Sequence, residues 1–414
     1  MKIKVQIYSL AFVLSIIFTA AVASRADVVT DWNKITLDAT NVAPLRPGPS
    51  NLLDVAAVQL AVYDAVQAYE HDYRSYCADI QGASGSPEAA VAKAAYDVLK
   101  ARLTSPDQSA FLDAAYVNYL AAHGISPMDA GASTGAAAAS CINALRANDG
   151  SFPVGYPPFF GSTELGQWRP TAAGTSMAAP WLAFVKPYTI NSSSQFRPGP
   201  PPALGSLEYT RDYEEVKSIG AANSTARTPE QTETGNFWNL NYQSVINNML
   251  RDLSDAYINN ISDNSRFFAS TSTATADAVI ASWDAKRAYY FWRPITAIRS
   301  GSDDGNPQTE GDAVWSSLIP SPPYPDYTSG ANAVMAASTR AAQLYFGENE
   351  MTVVVKKTAS GPSRTYAKFS AVRDEVEEAR IYGGIHFRFA DTAGRKQGEH
   401  IAQWAHSHYF RPVE

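Results

Sequence analysis

Three short stretches gather residue types able to hold a small oxyanion. In WDAKRAYYFWRPITAIR, Lys286 and Arg293 stand seven positions apart. That is nearly two helical turns, so the spacing predicts two cations on one helix face ahead of the end or kink imposed by Pro294. Such a pair either shares an anion or forms a solvated stripe. The surrounding Tyr289, Tyr290, Phe291 and Trp292 favour burial, and buried cations without partners are costly, which speaks for the anion. In YPDYTSGANAV, Ser329 and Gly330 precede a helical pattern whose first amides lack intrahelical acceptors, a positive end that stabilises an oxyanion. Taken alone, Thr328 or Ser329 there is simply an N-cap. In ARIYGGIHFRFAD, Arg380 and His386 do not share a helical face, but the Gly383-Gly384 pair interrupts the helix and lets His386 fold back beside Arg380. A lone histidine is more often structural than functional. Aimed at an anion caged by cations, a neutral imidazole is a nucleophile or a ligand of a metal oxyanion.

A mainly helical scaffold is expected to position these groups. From 49 to 148 the pattern is helical almost throughout, and Leu52, Val55, Val58, Val62, Val66 and Tyr69 predict one apolar face. Ser86-Pro87-Glu88, Ser105-Pro106-Asp107 and Thr228-Pro229-Glu230 read as helix starts, and Asn148-Asp149-Gly150 as a stop. Residues 151–206, rich in Pro, Gly and aromatics, are expected to form a long packed loop, because exposed Trp and Phe would be costly. Later helices are predicted from Leu207, from Thr228, over about 275–292, and over 332–346, 370–381 and 393–409. Only VVVKK reads as a strand, half of a small hairpin with SRTYAKF. The expected organisation is a helical part over 24–150, the loop, and a helical core over 207–414, all in one compact domain.

With 414 residues, 18% charged and 45% hydrophobic, the chain can bury a sizeable core. A formal net charge of -7 argues against a nucleic-acid partner, so any anion site must be a local concentration of positive charge. Lys2 and Lys4, an apolar run and Ala21-Val22-Ala23 make residues 1–23 a signal peptide, with an uncleaved membrane anchor as the competing reading. The expectation is an exported protein, periplasmic or extracellular, without stable membrane insertion. Cys77 and Cys141 either form one disulfide or are two small buried thiols, and neither has a second Cys or a His at metal-ligand spacing.

Together, KRAYYFWRP (286–294), YTSGA (327–331) and ARIYGGIH (379–386) resemble the signature of the vanadium-dependent haloperoxidase and type 2 phosphatidic acid phosphatase (PAP2) superfamily. That signature reads Lys, six residues, Arg-Pro; Pro-Ser-Gly-His; and Ser-Arg, five residues, His, three residues, Asp. AVQLAVYDAVQAY, FWRPITAIR and RIYGGIHFRFAD further resemble soluble bacterial members. The resemblance implies a mainly α helical bundle of the PAP2/vanadium haloperoxidase type, with at most a small β-hairpin. It implies vanadate, or phosphate, held by Lys286, Arg293, Arg380, Ser329 and the Gly330 amide. His386 would bond vanadium or attack phosphorus. Three positions depart from the pattern: Ala331 replaces the acid-base histidine, Ala379 replaces the serine before the arginine, and the acid falls at Asp391, five positions after His386.

Loss of the acid-base group harms a phosphatase more than a peroxidase, because a phosphatase must protonate its alkoxide leaving group. The first expectation is therefore a vanadium-dependent haloperoxidase acting on hydrogen peroxide and halide. An acid phosphatase acting on a phosphoester, with Asp326 or an acid of Ser302-Asp303-Asp304 replacing the histidine, and an inactive oxyanion-binding protein are the alternatives. Trp283, Trp292 and Trp315 either shape a halide pocket or belong to the core. A homo-oligomer stays open.

Overall fold

The computed structural model describes residues 27–77, 79–358 and 360–413; the expected leader over 1–23 lies outside them. In chain order the helices are α1 (Val28–Thr40), α2 (Asn51–Glu70), α3 (Pro87–Arg102), α4 (Pro106–His123), α5 (Gly131–Arg146), α6 (Leu207–Ile219) and α7 (Pro229–Phe237). They continue with α8 (Tyr242–Tyr257), α9 (Ile261–Tyr289), α10 (Pro294–Arg299), α11 (Gly330–Phe346), α12 (Phe369–Tyr382) and α13 (Arg388–His408). The expected hairpin is present: β1 (Val353–Lys356) pairs antiparallel with β2 (Ser363–Tyr366), Val353 opposite Tyr366. Among the described residues, no helix is long and apolar enough to cross a membrane.

Two long helices form the axis of the fold, and both differ from their expected form. α2 is buried on every side from Leu52 to Ala68, so its Val and Leu residues are not one face of an amphipathic helix. Small Ala and Val side chains let α3, α5 and α9 close around it, and its two buried carboxylates are satisfied internally. Asp54 pairs with Arg46 and Arg102 at 2.8 and 2.7 Å, and Asp64 accepts the amides of Tyr76 and Cys77 at 2.7 and 2.9 Å. Cys77 and Cys141 form a disulfide, tying the segment after α2 to α5 with Cα atoms 6.0 Å apart.

α9 begins at Ile261, well before the expected 275, with the Asn260 side chain accepting the Asp263 amide at 2.7 Å. The run SRFFASTSTATADA hides this helix because its Ser and Thr residues read as polar. In the structure Ser265, Thr271, Ser272, Thr273 and Thr275 are buried, and Thr271, Thr273 and Thr275 donate to carbonyls one turn back at 2.7, 2.8 and 2.7 Å. The helix ends at Tyr289, where Tyr290 takes a left-handed conformation (φ 46°). Residues 151–206 are irregular apart from a short 3₁₀ turn over Pro180–Phe184, and they pack as expected, burying Trp168, Trp181, Leu182 and Tyr188. Asp277 of α9 anchors this loop by accepting the amides of Tyr188, Thr189 and Ile190 at 2.6, 2.7 and 3.1 Å.

Candidate oxyanion site

The site sits where the C-terminus of α9, the N-terminus of α11 and the turn between α12 and α13 meet. Lys286 lies in the last turn of α9, but Arg293 is not on that helix. It is the extended residue before α10 (φ -84°, ψ 156°), so the two cations converge through a chain reversal and not along one helix face. The long loop holds this reversal in place. The Trp168 amide donates to the Tyr290 carbonyl at 2.6 Å and the Trp292 amide to the Gly166 carbonyl at 2.9 Å. Trp283, Trp292 and Trp315 are all buried, as core residues.

Ser329 is the N-cap residue of α11, yet its side chain makes no capping bond to the first-turn amides. α11 can reach its place because α13 presents glycine: a Cβ on Gly394 would lie 2.4 Å from the Ser329 carbonyl oxygen, and one on Gly398 2.2 Å from that of Ala333. The Gly383-Gly384 break forms as expected. α12 ends at Tyr382, Gly384 has φ +73°, and His386 enters the site just before α13.

Lys286, Arg293, Asp326, Ser329, Arg380, His386 and Asp391 are all buried. Lys286 spends its three protons on the carbonyls of Pro325, Asp326 and Thr328, at 2.6, 3.1 and 2.6 Å. It thus clasps the turn that carries Ser329; burial and Arg293 push its ammonium pKa well down. Arg293 donates from Nε to the Tyr324 carbonyl at 2.8 Å and from Nη1 to that of Ile385 at 2.7 Å. Arg380 Nη1 donates to the Trp238 carbonyl at 3.0 Å. Arg293 Nη2 and Arg380 Nε have no hydrogen-bond partner among the described residues.

The His386 ring is held from two sides. Nε2 lies 2.9 Å from Arg293 Nη1 and Nδ1 lies 2.8 Å from Asp326 Oδ1. Burial, then Arg293, Lys286 and Arg380, push its pKa well below 6.5, so the imidazole is neutral. With the proton on Nδ1 toward Asp326, Nε2 keeps its lone pair toward the cations. Burial raises the Asp326 carboxyl to about 7, against the pull of Arg293 and Lys286. Neither of its oxygens receives a well-directed hydrogen bond among the described residues, and Arg293 Nη1 stands 3.6 Å away.

Asp391 does not support His386. Its Oδ1 accepts from Asn332 Nδ2 at 2.7 Å, and the same amide nitrogen reaches Ser329 Oγ at 3.2 Å. Burial pushes the Asp391 carboxyl pKa well up, with the Ser329 hydroxyl opposing. Ala331, in the first turn of α11, is half-buried. The Asn332–Asp391 link and the placement of Asp326 against the ring of His386 were not read from the sequence; each joins positions about sixty apart.

Chemically this is a buried nest of cations with two unfilled guanidinium nitrogens, a neutral imidazole, a helix N-terminus whose Ser hydroxyl makes no cap and is held by Asn332, and two acids of raised pKa. An unpaired buried N–H costs about 1–3 kcal/mol, a cost that a tetrahedral oxyanion accepting from both arginines removes.

Residues 266–414 match the family model for the second helical-bundle domain of VCPO. The vanadium chloroperoxidase of Curvularia inaequalis is 31% identical over 186 residues, covering 37% of this chain and 30% of that protein. The chain therefore spans about a third of that relative's length. In three dimensions, a bacterial vanadium-dependent iodoperoxidase superposes with a TM-score of 0.80 at 21% identity, covering 94% of this chain and 98% of that one. A bacterial vanadium-dependent chloroperoxidase, in its apo form, gives 0.72 at 20% identity over 88% and 95% of the two chains. The fold, the matched bundle domain and the curated relative all support the resemblance to the vanadium haloperoxidase and PAP2 superfamily that the three motifs carry.

Proposed function

We propose that this protein is a haloperoxidase-type oxidoreductase that holds vanadate and oxidises halide with hydrogen peroxide. The observation that carries the reading is the pair of unpartnered guanidinium nitrogens, Arg293 Nη2 and Arg380 Nε, beside a neutral His386. These groups fit vanadate: Arg293, Arg380, Ser329 and the Gly330 amide would hold its oxygens, and His386 Nε2 would be the vanadium ligand. Lys286 contributes positive charge from behind the turn that it clasps. When bound, vanadate supplies a Lewis-acidic centre that activates peroxide toward attack by halide.

The proton relay absent at Ala331 falls to Asp326. Its carboxyl, raised to about 7, is poised to hold or release a proton near neutral pH, and it touches the imidazole directly. The Cys77–Cys141 disulfide supports an exported, periplasmic or extracellular, setting.

The test is to add orthovanadate to the purified protein and assay bromide oxidation and p-nitrophenyl phosphate hydrolysis side by side. Vanadate-dependent bromide oxidation is expected. Phosphatase activity that vanadate inhibits, or binding without turnover, contradicts the reading.

A further inference from the structure

Against the outer side of the cradle lies a cavity of about 630 Å³, within the range of small-molecule sites. Its apolar wall is made by Phe196, Pro198, Pro200, Tyr327 and Phe389. Two of these residues are chain neighbours of the cradle: Tyr327 stands between Asp326 and Thr328, and Phe389 follows His386 by three positions. A third lining residue, Gln397, accepts from the Thr328 hydroxyl at 2.8 Å, directly behind the carbonyl that Lys286 holds. The Tyr327 hydroxyl donates to the Gly199 carbonyl at 2.9 Å, closing the floor against the proline-rich strap.

The charges around this cavity are not equally available. Arg197 is bound to Asp284 at 2.5 Å, Arg211 to Asp212 at 2.8 Å, and Arg388 to Glu215 and Glu378 at 2.7 and 2.6 Å. Lys396 and His400, one turn apart on α13, have no ion-pair partner among the described residues, and the His400 ring sits 6.1 Å from that of Phe196. Glu208, on α6, also lines the cavity. The combination is a flat aromatic and proline slot with the Lys396 ammonium along one edge.

We propose that this cavity binds an aromatic anion, a ring bearing a carboxylate or phenolate, as the acceptor of the oxidised halogen. The acceptor role rests on the haloperoxidase reading; the binding site itself does not. Prolines and aromatics stack on a planar ring, while the Lys396–His400 edge takes the anionic group. The overall reaction balances: an aryl C–H, a halide ion, hydrogen peroxide and one proton give the aryl halide and two molecules of water. The halide loses two electrons, the O–O bond takes them as it breaks, and the ring proton leaves as the carbon–halogen bond forms. Tyr327 and Phe389 join the cavity wall to the segments that carry the cradle, so an acceptor held there is positioned beside the source of oxidised halogen.

The test titrates the full chain, without vanadate, with hydroxynaphthoate and with neutral naphthol. Saturable hydroxynaphthoate binding is expected. Ala393→Trp, which fills the cavity from α13, should abolish it. Lys396→Glu should weaken hydroxynaphthoate about tenfold and leave naphthol unchanged. Absence of saturable binding overturns the proposal, as does binding that survives Ala393→Trp or an equal effect of Lys396→Glu on both probes. Vanadate titration of the same samples separates the two readings. Hydroxynaphthoate binding without vanadate binding sinks the cradle and leaves the cavity, and the converse sinks the cavity alone.

Discussion

Asp326 Oδ1 and His386 Nδ1 lie 2.8 Å apart, with both side chains closed off from solvent. The contact gives the imidazole a carboxyl partner where Asp391 was the candidate. It also puts a proton-holding group in a cradle whose first helical turn offers only Ala331 and Asn332.

If Asp326 moves the proton, Asp326→Asn keeps the shape of the side chain and removes its titration. Halide turnover is expected to fall by about 10²-fold or more, with vanadate affinity retained. Steady-state rates and vanadate titration on the same preparation check this. Unchanged turnover would assign the relay elsewhere, with Asp391 the next residue to substitute.

Asp326 also makes stability depend on pH with a definite sign. Its folded pKa, raised by burial to about 7, lies above the unfolded value. Its contribution to stability is therefore fully present below the unfolded pKa and is lost as pH rises through about 7. Relative to wild type, Asp326→Asn should become more stable as pH rises across that window, by more than about 1 kcal/mol. Urea midpoints measured at about pH 5 and about pH 8 read the difference directly. His386, depressed, acts in the opposite sense, so the Asp326→Asn difference reads the Asp326–His386 pair, with the Asp326 sign expected to dominate above pH 6.5.

Gly394 sets how closely α13 lets Ser329 approach. A Cβ there meets the Ser329 carbonyl oxygen at 2.4 Å, so Gly394→Ala must push the N-terminus of α11 away from His386. Vanadate affinity is expected to drop about tenfold or more, together with a lower melting temperature. Gly205→Ala, at an exposed loop position with open space around it and no left-handed backbone, serves as the comparison for ordinary glycine loss.

The Cys77–Cys141 bridge spans 64 positions and lies away from the cradle. Replacing both cysteines with alanine should cost about 2–4 kcal/mol of stability and leave vanadate binding intact. Denaturant unfolding and vanadate titration of the double variant test both halves of that statement.

Much of this site was legible in the sequence because each motif carries its own geometry. The Gly383-Gly384 break returned His386 to the arginines as the local pattern implied. Lys286 and Arg293 converge as expected, but the helical spacing that suggested it was the wrong reason, since Tyr290 ends α9 before Arg293. Periodicity also misread α2, where a helix enclosed by neighbours needs no polar face, and it missed the start of α9, whose buried threonine hydroxyls donate to their own backbone. Least legible were Asp326 against His386 and Asn332 against Asp391, because contacts between distant segments leave no local pattern.

The central claim is that His386 is the ligand of an oxyanion and not a structural histidine. The most direct measurement is calorimetric titration of orthovanadate into the wild-type protein and His386→Ala, with bromide oxidation assayed on the same samples. The expected result is saturable binding and vanadate-dependent turnover in the wild type, both lost in a variant that still melts cooperatively. Equal vanadate affinity in the two folded proteins would contradict it.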